Sequence, residues 1–131
     1  MTNRSMDWGR ASPYLLSVLR IASGFLFMQH GAQKLFGLLE GTPVEWVSLM
    51  GLAGVLEFFG GLLILVGLLT RPVAFILAGQ MAFAYFMVHN PQNFWPVLNH
   101  GDLAVLFCFV FLYLSAAGAG PWSVDRMLRR A

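Results

Sequence analysis

The segment WVSLMGLAGVLEFFGGLLILVGLL, residues 46–69, contains one charged side chain, Glu57, in 24 positions. A helix needs about 20 mainly apolar residues to cross the hydrocarbon core of a bilayer, within a range of about 17–25. Three further segments, residues 13–36, 72–88 and 103–119, are also mainly apolar and have 24, 17 and 17 residues. All four lengths fall within the range, so the sequence predicts a protein that crosses the membrane several times.

The overall composition supports this class. Hydrophobic residues make up 58% of the 131 residues and charged residues 11%, whereas soluble globular domains have about 45–50% and about 25%. This balance excludes a soluble enzyme, a secreted disulfide-rich protein and a nucleic-acid-binding protein. Cys108 is the only cysteine in the sequence, so the chain cannot form an internal disulfide or a CxxC pair. The sequence has no motif for haem, flavin, NAD or an iron–sulfur cluster.

The distribution of basic residues predicts the orientation of the chain. Cytoplasmic flanks of membrane helices are enriched in Lys and Arg. Of the eight basic residues, Lys34 alone lies at the opposite ends of the helices. We therefore expect an all-α, up-down-up-down transmembrane four-helix bundle in the plasma or inner membrane, with both termini in the cytoplasm. The other seven basic residues are Arg4, Arg10, Arg20, Arg71, Arg126, Arg129 and Arg130.

Capping patterns predict the helix boundaries within a single domain, residues 1–131. Thr42 and Glu45 have the spacing of a capping box, which starts the second helix near Pro43. The link at Thr70-Arg71 is so short that the second and third helices must be antiparallel neighbours. The predicted helices span about residues 13–36, 43–69, 72–88 and 102–119.

Two ionisable side chains lie well inside the predicted spans. Arg20 lies on the cytoplasmic side of the middle of the first helix, and Glu57 lies near the middle of the second. An unpaired ion at mid-helix costs at least about 2.5–3.5 kcal/mol, so we expect Arg20 and Glu57 to form a buried ion pair. This pair has two interpretations: a structural link between the two helices, or a part of a proton or quinone-headgroup site.

A second group of polar side chains is expected at the outer end of the bundle. Lys34 supplies charge, histidine can change its charge near neutral pH, and aromatic rings can stack on a ligand. We interpret the group as a polar mouth that binds a quinone or a small anion. A divalent-metal site, a haem site and an ordinary interfacial polar rim are alternatives, but no HxxxH or HxH pair sets a metal geometry, so we assign no metal ligand. The candidate residues are His30, Lys34, Tyr85, His89, His100 and Asp102.

Three stretches of the chain resemble the DoxX family of small four-helix membrane proteins. They are RIASGFLFMQHGAQKLF at residues 20–36, EFFGG at 57–61 continuing to GLLTR at 67–71, and GAGPWSVD at 118–125. The HG-x-x-K and E-x-x-G-G elements in this order are the more specific part, and the resemblance extends over about residues 14–126. Family members commonly carry a glutamate at the start of the fourth helix, where this chain has Asp102.

The resemblance implies a subunit of a membrane oxidoreductase system, linked in some members to sulfur compounds, quinones or oxidative stress. Related sequences include the small subunits of thiosulfate:quinone oxidoreductase. We therefore expect a quinone-interacting subunit with a soluble or membrane-bound redox partner. Two alternatives remain: a non-catalytic membrane anchor for a soluble redox protein, and a carrier of a small solute or of protons through the Glu57 region. A homo-oligomer would supply a pore, because one bundle of this size has little internal volume.

Overall fold

A computed structural model describes residues 7–129, and all the regular structure within that range is helical. A short 3-10 helix, Trp8–Ala11, leads into the first α-helix. Arg4 and Arg130, which contribute to the predicted orientation, lie outside the described residues. The helices are α1 (Ser12–Phe36), α2 (Leu49–Val66), α3 (Thr70–His89), α4 (Pro96–Asn99), α5 (Asp102–Ala117) and α6 (Val124–Arg129).

Three of these helices are long and apolar enough to cross a membrane. They are α1 with its 3-10 extension, 29 residues, α2, 18 residues, and α3, 20 residues. The fourth predicted span, α5, is also apolar but has 16 residues, slightly fewer than the shortest typical span. The predicted all-α class is confirmed for the described residues.

The second helix begins at Leu49, not near Pro43, so this boundary prediction is wrong. Ser48 is the N-cap, and its hydroxyl accepts a hydrogen bond from a backbone N–H of the first turn. The chain before it is held against the end of α1, where the Val44 N–H donates to the Lys34 carbonyl at 2.8 Å. The last carbonyls of a helix lack partners within the helix, and satisfying one of them draws this segment away from a helical path.

Glycines allow α1 and α2 to pack closely. A Cβ atom on Gly31 would lie 2.6 Å from the Phe58 Cα and 2.7 Å from the Gly54 carbonyl oxygen. A Cβ atom on Gly24 would lie 2.7 Å from the Gly61 carbonyl oxygen. Small residues let helix backbones approach each other in this way inside membranes. The later glycine of α1, Gly31, meets the earlier part of α2, and Gly24 meets the later part. The two helices are therefore antiparallel.

Aromatic rings join α1 to α5. The Phe27 ring meets Phe107 and Phe111 edge-on, with ring centroids 5.1 Å and 4.9 Å apart. Phe107 and Phe111 stack on each other at 5.6 Å, and all three side chains are buried. Such aromatic pairs contribute about 0.5–1.5 kcal/mol beyond the burial of their surface. This cluster stabilises the contact between the first and the last of the long helices.

The third and fifth helices are also antiparallel neighbours. At one end of the pair, the Arg71 guanidinium of α3 donates to the Ala116 carbonyl of α5. At the other end, the His89 Nδ1 lies 3.0 Å from the Asn99 carbonyl oxygen, just before α5 begins. Contacts at both ends hold the two helices side by side along their whole length.

The residues after α5 fold back over the ends of α1 and α2. The Ser17 hydroxyl donates to the Ala119 carbonyl at 3.2 Å and accepts from the Trp122 N–H at 3.1 Å. The Asp125 N–H donates to the Gly67 carbonyl at 2.8 Å. This tail therefore closes the end of the molecule at which α1 begins and α5 ends.

Candidate functional site

A cavity of about 710 Å³ lies between α1, α2, α3 and α5. Most of the side chains around it are apolar, with several methionines and phenylalanines among them. Ligand pockets commonly have volumes of about 300–1,000 Å³, apolar walls and a few convergent polar groups. The strongly polar side chains that line this cavity are His30, Lys34, Glu57, Gln80, His89 and His100.

The polar end of the cavity is built around an ion pair whose carboxylate is buried. The Lys34 Nζ lies 2.8 Å from Oε1 and 2.7 Å from Oε2 of Glu57. Glu57 is 2% exposed, whereas the Lys34 side chain is 27% exposed. An ammonium group has three N–H donors, and the Glu57 carboxylate takes two of them. Lys34 therefore keeps one donor for another contact.

The predicted ion pair between Arg20 and Glu57 is wrong. The Arg20 Nε donates to the Ile64 carbonyl at 2.9 Å, and the rest of the guanidinium donates to the Ala119 and Trp122 carbonyls. Ile64 lies seven residues beyond Glu57, which is about 10 Å along a helix at 1.5 Å per residue. The register of α1 against α2 thus separates the two side chains. Arg20 is 1% exposed, and backbone carbonyls rather than a carboxylate satisfy its donors.

Gln80 completes the group around Glu57, and it is not among the predicted site residues. Its Nε2 donates to the Glu57 Oε2 at 2.9 Å. Its Oε1 is buried and has no hydrogen-bond partner within the described part of the chain. A buried acceptor without a donor costs free energy. In the sequence, Gln80 is the one amide side chain within the apolar segment 72–88. A hydropathy average over that segment does not reveal a single polar residue.

Two local departures from α-helical geometry lie at the cavity. Leu56–Gly60 in α2 and Tyr85–His89 in α3 each form one π-helical turn. Such turns are rare, and they occur frequently at functional sites. The first contains Glu57 and the second contains His89, and both side chains line the cavity. Helix geometry is therefore altered at two positions that carry site residues.

The three histidines line the same cavity, and each has different neighbours. The His30 ring meets Phe107 edge-on, with centroids 6.4 Å apart. The His89 Nδ1 donates to the Asn99 carbonyl, because a carbonyl can only accept, and this leaves Nε2 for another contact. His100 is exposed and has a φ of 61°. Within residues 7–129, no group of three His, Cys, Asp or Glu side chains is arranged to hold a metal ion.

Two of the six candidate residues of the predicted outer mouth, Tyr85 and Asp102, do not line the cavity. Asp102 is exposed in the first turn of α5, where its negative charge interacts favourably with the helix N-terminus. The Tyr85 hydroxyl accepts from the Asn99 Nδ2 at 3.3 Å. Asn99 is fully buried and also donates to the Asn93 carbonyl at 2.8 Å. Tyr85 and Asn99 thus hold the connection between α3 and α5 in place, and Asn99 is not among the predicted site residues.

The opposite end of the molecule has a carboxylate with defined contacts of its own. The Asp125 Oδ1 accepts from the Leu69 N–H at 2.8 Å, and Oδ2 accepts from the Thr70 N–H at 2.9 Å. The residue preceding α3 makes no side-chain cap, so Asp125 supplies one from α6. Burial raises the pKa of Asp125, but the hydrogen bonds from Thr70 and Leu69 and the nearby charge of Arg129 outweigh it. The pKa consequently lies below its ordinary value.

Sequence comparisons relate the chain to known membrane proteins. The family model described as DoxX matches residues 15–90. The chain is 38% identical to an uncharacterised protein of Haemophilus influenzae, over 86% of this chain and 90% of that protein. It is 34% identical to the inner membrane protein YqjF of Escherichia coli, over 86% of this chain and 91% of that protein. It is 30% identical to the Escherichia coli inner membrane protein YphA, over 95% of this chain and 98% of that protein. No solved structure matches the chain significantly.

The family match covers more than half of the chain and includes most of the polar residues that line the cavity. Its relatives in Escherichia coli are inner membrane proteins. Three described helices are long and apolar enough to cross a bilayer. The chain is therefore a multi-pass integral membrane protein of the plasma or inner membrane, and it belongs to the DoxX family.

Proposed function

We propose that the cavity binds the headgroup of a quinone and that the protein is a quinone-interacting subunit of a membrane redox system. The observation that carries this proposal is a charged, hydrogen-bonded end, built by Lys34, Glu57 and Gln80, inside a cavity with mainly apolar walls. A quinone has the same division, because two ring carbonyls accept hydrogen bonds and a long tail is apolar. The volume of about 710 Å³ is in the usual range for such a ligand.

The side chains at the polar end have complementary roles in this proposal. Lys34 keeps one N–H donor for a quinone carbonyl, and the His30 ring supplies a second donor. The Gln80 amide donates to Glu57 and holds that carboxylate in position beside Lys34. Phe107, which meets His30 edge-on, offers an aromatic surface for the ring.

Reduction of a quinone to a quinol consumes two electrons and two protons. Histidine and glutamate side chains near the ring are suited to exchange the protons. The sequence carries no motif for a redox cofactor, so we propose that the electrons come from a separate soluble or membrane-bound redox protein. This chain then binds the quinone, orients its carbonyls and supplies protons to them.

We also propose the arrangement in the membrane. The antiparallel contacts of α1 with α2 and of α3 with α5 support an up-down-up-down transmembrane bundle that includes α5. The described arginines at the end where α1 begins support a cytoplasmic position for both termini. The polar end of the cavity then faces the outer side of the membrane.

Quinone binding by the purified protein tests the proposed function. The protein in detergent is titrated with a short-tailed ubiquinone analogue, and binding is followed by calorimetry. We expect saturable binding with one quinone per chain. For His30→Ala, we expect roughly fivefold weaker binding, because removal of one hydrogen bond costs about 1 kcal/mol.

Gln29→Ala is the matched control, since Gln29 precedes His30 on α1 but does not line the cavity. Its quinone affinity should equal that of the wild type. An unchanged affinity in His30→Ala would contradict the site assignment. Absence of saturable binding by the wild-type protein would contradict the function itself, and co-purification of a soluble redox protein would then favour the anchor alternative.

A further inference from the structure

A second cavity, of about 570 Å³, lies at the end of the molecule opposite the polar end of the first one. It is bounded by the beginning of α1, the beginning of α3 and the tail after α5. Four cationic side chains and one anionic side chain line it, which gives a formal charge of four minus one, or +3. These side chains are Arg10, Arg71, Arg126, Arg129 and Asp125.

The carboxylate in this cavity does not pair directly with the arginines. Both of its oxygens accept hydrogen bonds from the backbone at the start of α3. Within residues 7–129, the ion pairs are Arg10–Asp7, an exposed contact at 3.9 Å, and Lys34–Glu57. Exposed pairs of the first kind contribute little free energy. The cavity therefore presents a concentrated positive charge to any anion that enters it.

One of these arginines is held in a defined position. The Arg71 Nη1 donates to the Ala116 carbonyl, and its guanidinium lies against Gly118, where a Cβ atom would be 3.0 Å from Nη2. Gly118 has a φ of 87°, a conformation that glycine adopts readily. A guanidinium group has five N–H donors, so Arg71 retains donors for a phosphate group, to which arginine binds in a forked geometry.

Apolar and aromatic side chains lie directly beside the arginines. Pro13, Leu16 and Ala117 line the same cavity, and Tyr14 packs against Trp122 with ring centroids 5.4 Å apart. Aromatic side chains of this kind concentrate at the level of the lipid headgroups. A free phosphate ion requires no apolar wall, whereas a phospholipid carries acyl chains next to its phosphate. We propose that this cavity binds the phosphate group of an anionic phospholipid.

Native mass spectrometry of the full chain tests this proposal. The purified protein is titrated with phosphatidylglycerol and with phosphatidylcholine of the same acyl chains. We expect phosphatidylglycerol to bind more tightly. A basic residue near an anionic headgroup contributes about 1 kcal/mol, which is about fivefold in Kd. The double variant Arg10→Gln/Arg126→Gln should therefore bind phosphatidylglycerol roughly 25-fold more weakly, with a smaller loss for phosphatidylcholine, whose phosphate is offset by the choline charge.

The matched control is Arg10→Lys/Arg126→Lys, which keeps both charges and should keep most of the preference for phosphatidylglycerol. Both side chains are exposed, and a thermal unfolding midpoint equal to that of the wild type verifies the fold of each variant. Equal binding of the two lipids by the wild type would overturn the proposal, as would unchanged phosphatidylglycerol binding by the glutamine variant. Displacement of the lipid by an equal concentration of inorganic phosphate would also overturn it, because the ligand would then be the free ion.

Discussion

Lys34 and Glu57 place opposite charges against each other in a part of the chain that is otherwise apolar. Two donors from Lys34 and one from Gln80 surround the Glu57 carboxylate. Charges inside a membrane-spanning segment are costly and usually have a functional role. A well-packed apolar pair at such a position is often at least as stable as an ion pair. Stability alone is thus a poor explanation for these two residues, which is consistent with the proposed ligand site.

Substitution of one partner and of both separates the two roles of the pair. Lys34→Met leaves the Glu57 carboxylate buried without its cation, and we expect the free energy of unfolding to fall by about 3–5 kcal/mol. Lys34→Met/Glu57→Met removes both charges and should recover most of that stability without recovering quinone binding. Thermal unfolding in detergent and quinone titration measure the two effects. Wild-type quinone affinity in the double variant would show that the pair is a structural link alone.

At the scale of the helices, the contact between α1 and α2 determines which side chains meet. Gly31 lies close to Gly54 and Phe58 across the interface, and Lys34 and Glu57 lie beside these contacts in the sequence. The close approach of the two backbones therefore brings Lys34, not Arg20, to the carboxylate. The same register places Arg20 beside the carbonyls near the end of α2.

A methyl group at Gly31 tests this packing. In Gly31→Ala the new Cβ would lie 2.6 Å from the Phe58 Cα, and a backbone atom cannot move aside as the end of a side chain can. Overpacking of this kind costs about 1–3 kcal/mol, so we expect a lower thermal unfolding midpoint in detergent. Gly79→Ala is the matched control, because nothing lies within 4 Å of a Cβ at that position in α3. Equal midpoints for the two variants would contradict the close packing of α1 and α2.

At the scale of the whole molecule, the two cavities place different groups of charged side chains at the two ends. The first combines Lys34 and Glu57 with three histidines and mainly apolar walls. The second is strongly basic and lies where α1 begins and α5 ends. Basic residues concentrate on the cytoplasmic side of membrane proteins, so the difference between the ends predicts one orientation in the bilayer.

Reporter fusions in bacterial cells test this orientation. Green fluorescent protein fused after Ala131 should fluoresce, because it folds in the cytoplasm, and alkaline phosphatase at the same position should be inactive. A fusion to a chain that ends at Asn93, in the connection between α3 and α5, should show the reverse pattern and is the internal control. The opposite result at both positions would mean that the molecule is inverted, and the same result at both would contradict the membrane crossing by α5.

The helical class, the family and some of the residues around the cavity could be predicted from the sequence. The all-α class and the DoxX resemblance are confirmed. Four of the six candidate residues of the predicted outer mouth, His30, Lys34, His89 and His100, line one cavity. Helix periodicity places His30 and Lys34 on one face of α1, and the antiparallel order of the helices brings His89 and His100 to the same end of the molecule. The predicted Arg20–Glu57 ion pair is wrong because the position of each residue within its own helix does not specify the register in which two helices pack.

Segment length, hydropathy and short motifs identify a helical membrane protein of the DoxX family, because none of these features depends on how the helices pack. Helix packing, in contrast, sets the partner of Glu57, the inclusion of Gln80 in the site and the cap that Asp125 provides for α3. Each of these depends on distances of a few ångströms between segments that are far apart in the chain. The close contacts of the α1 and α2 backbones and the return of the tail determine those distances, and neither has a signal in hydropathy.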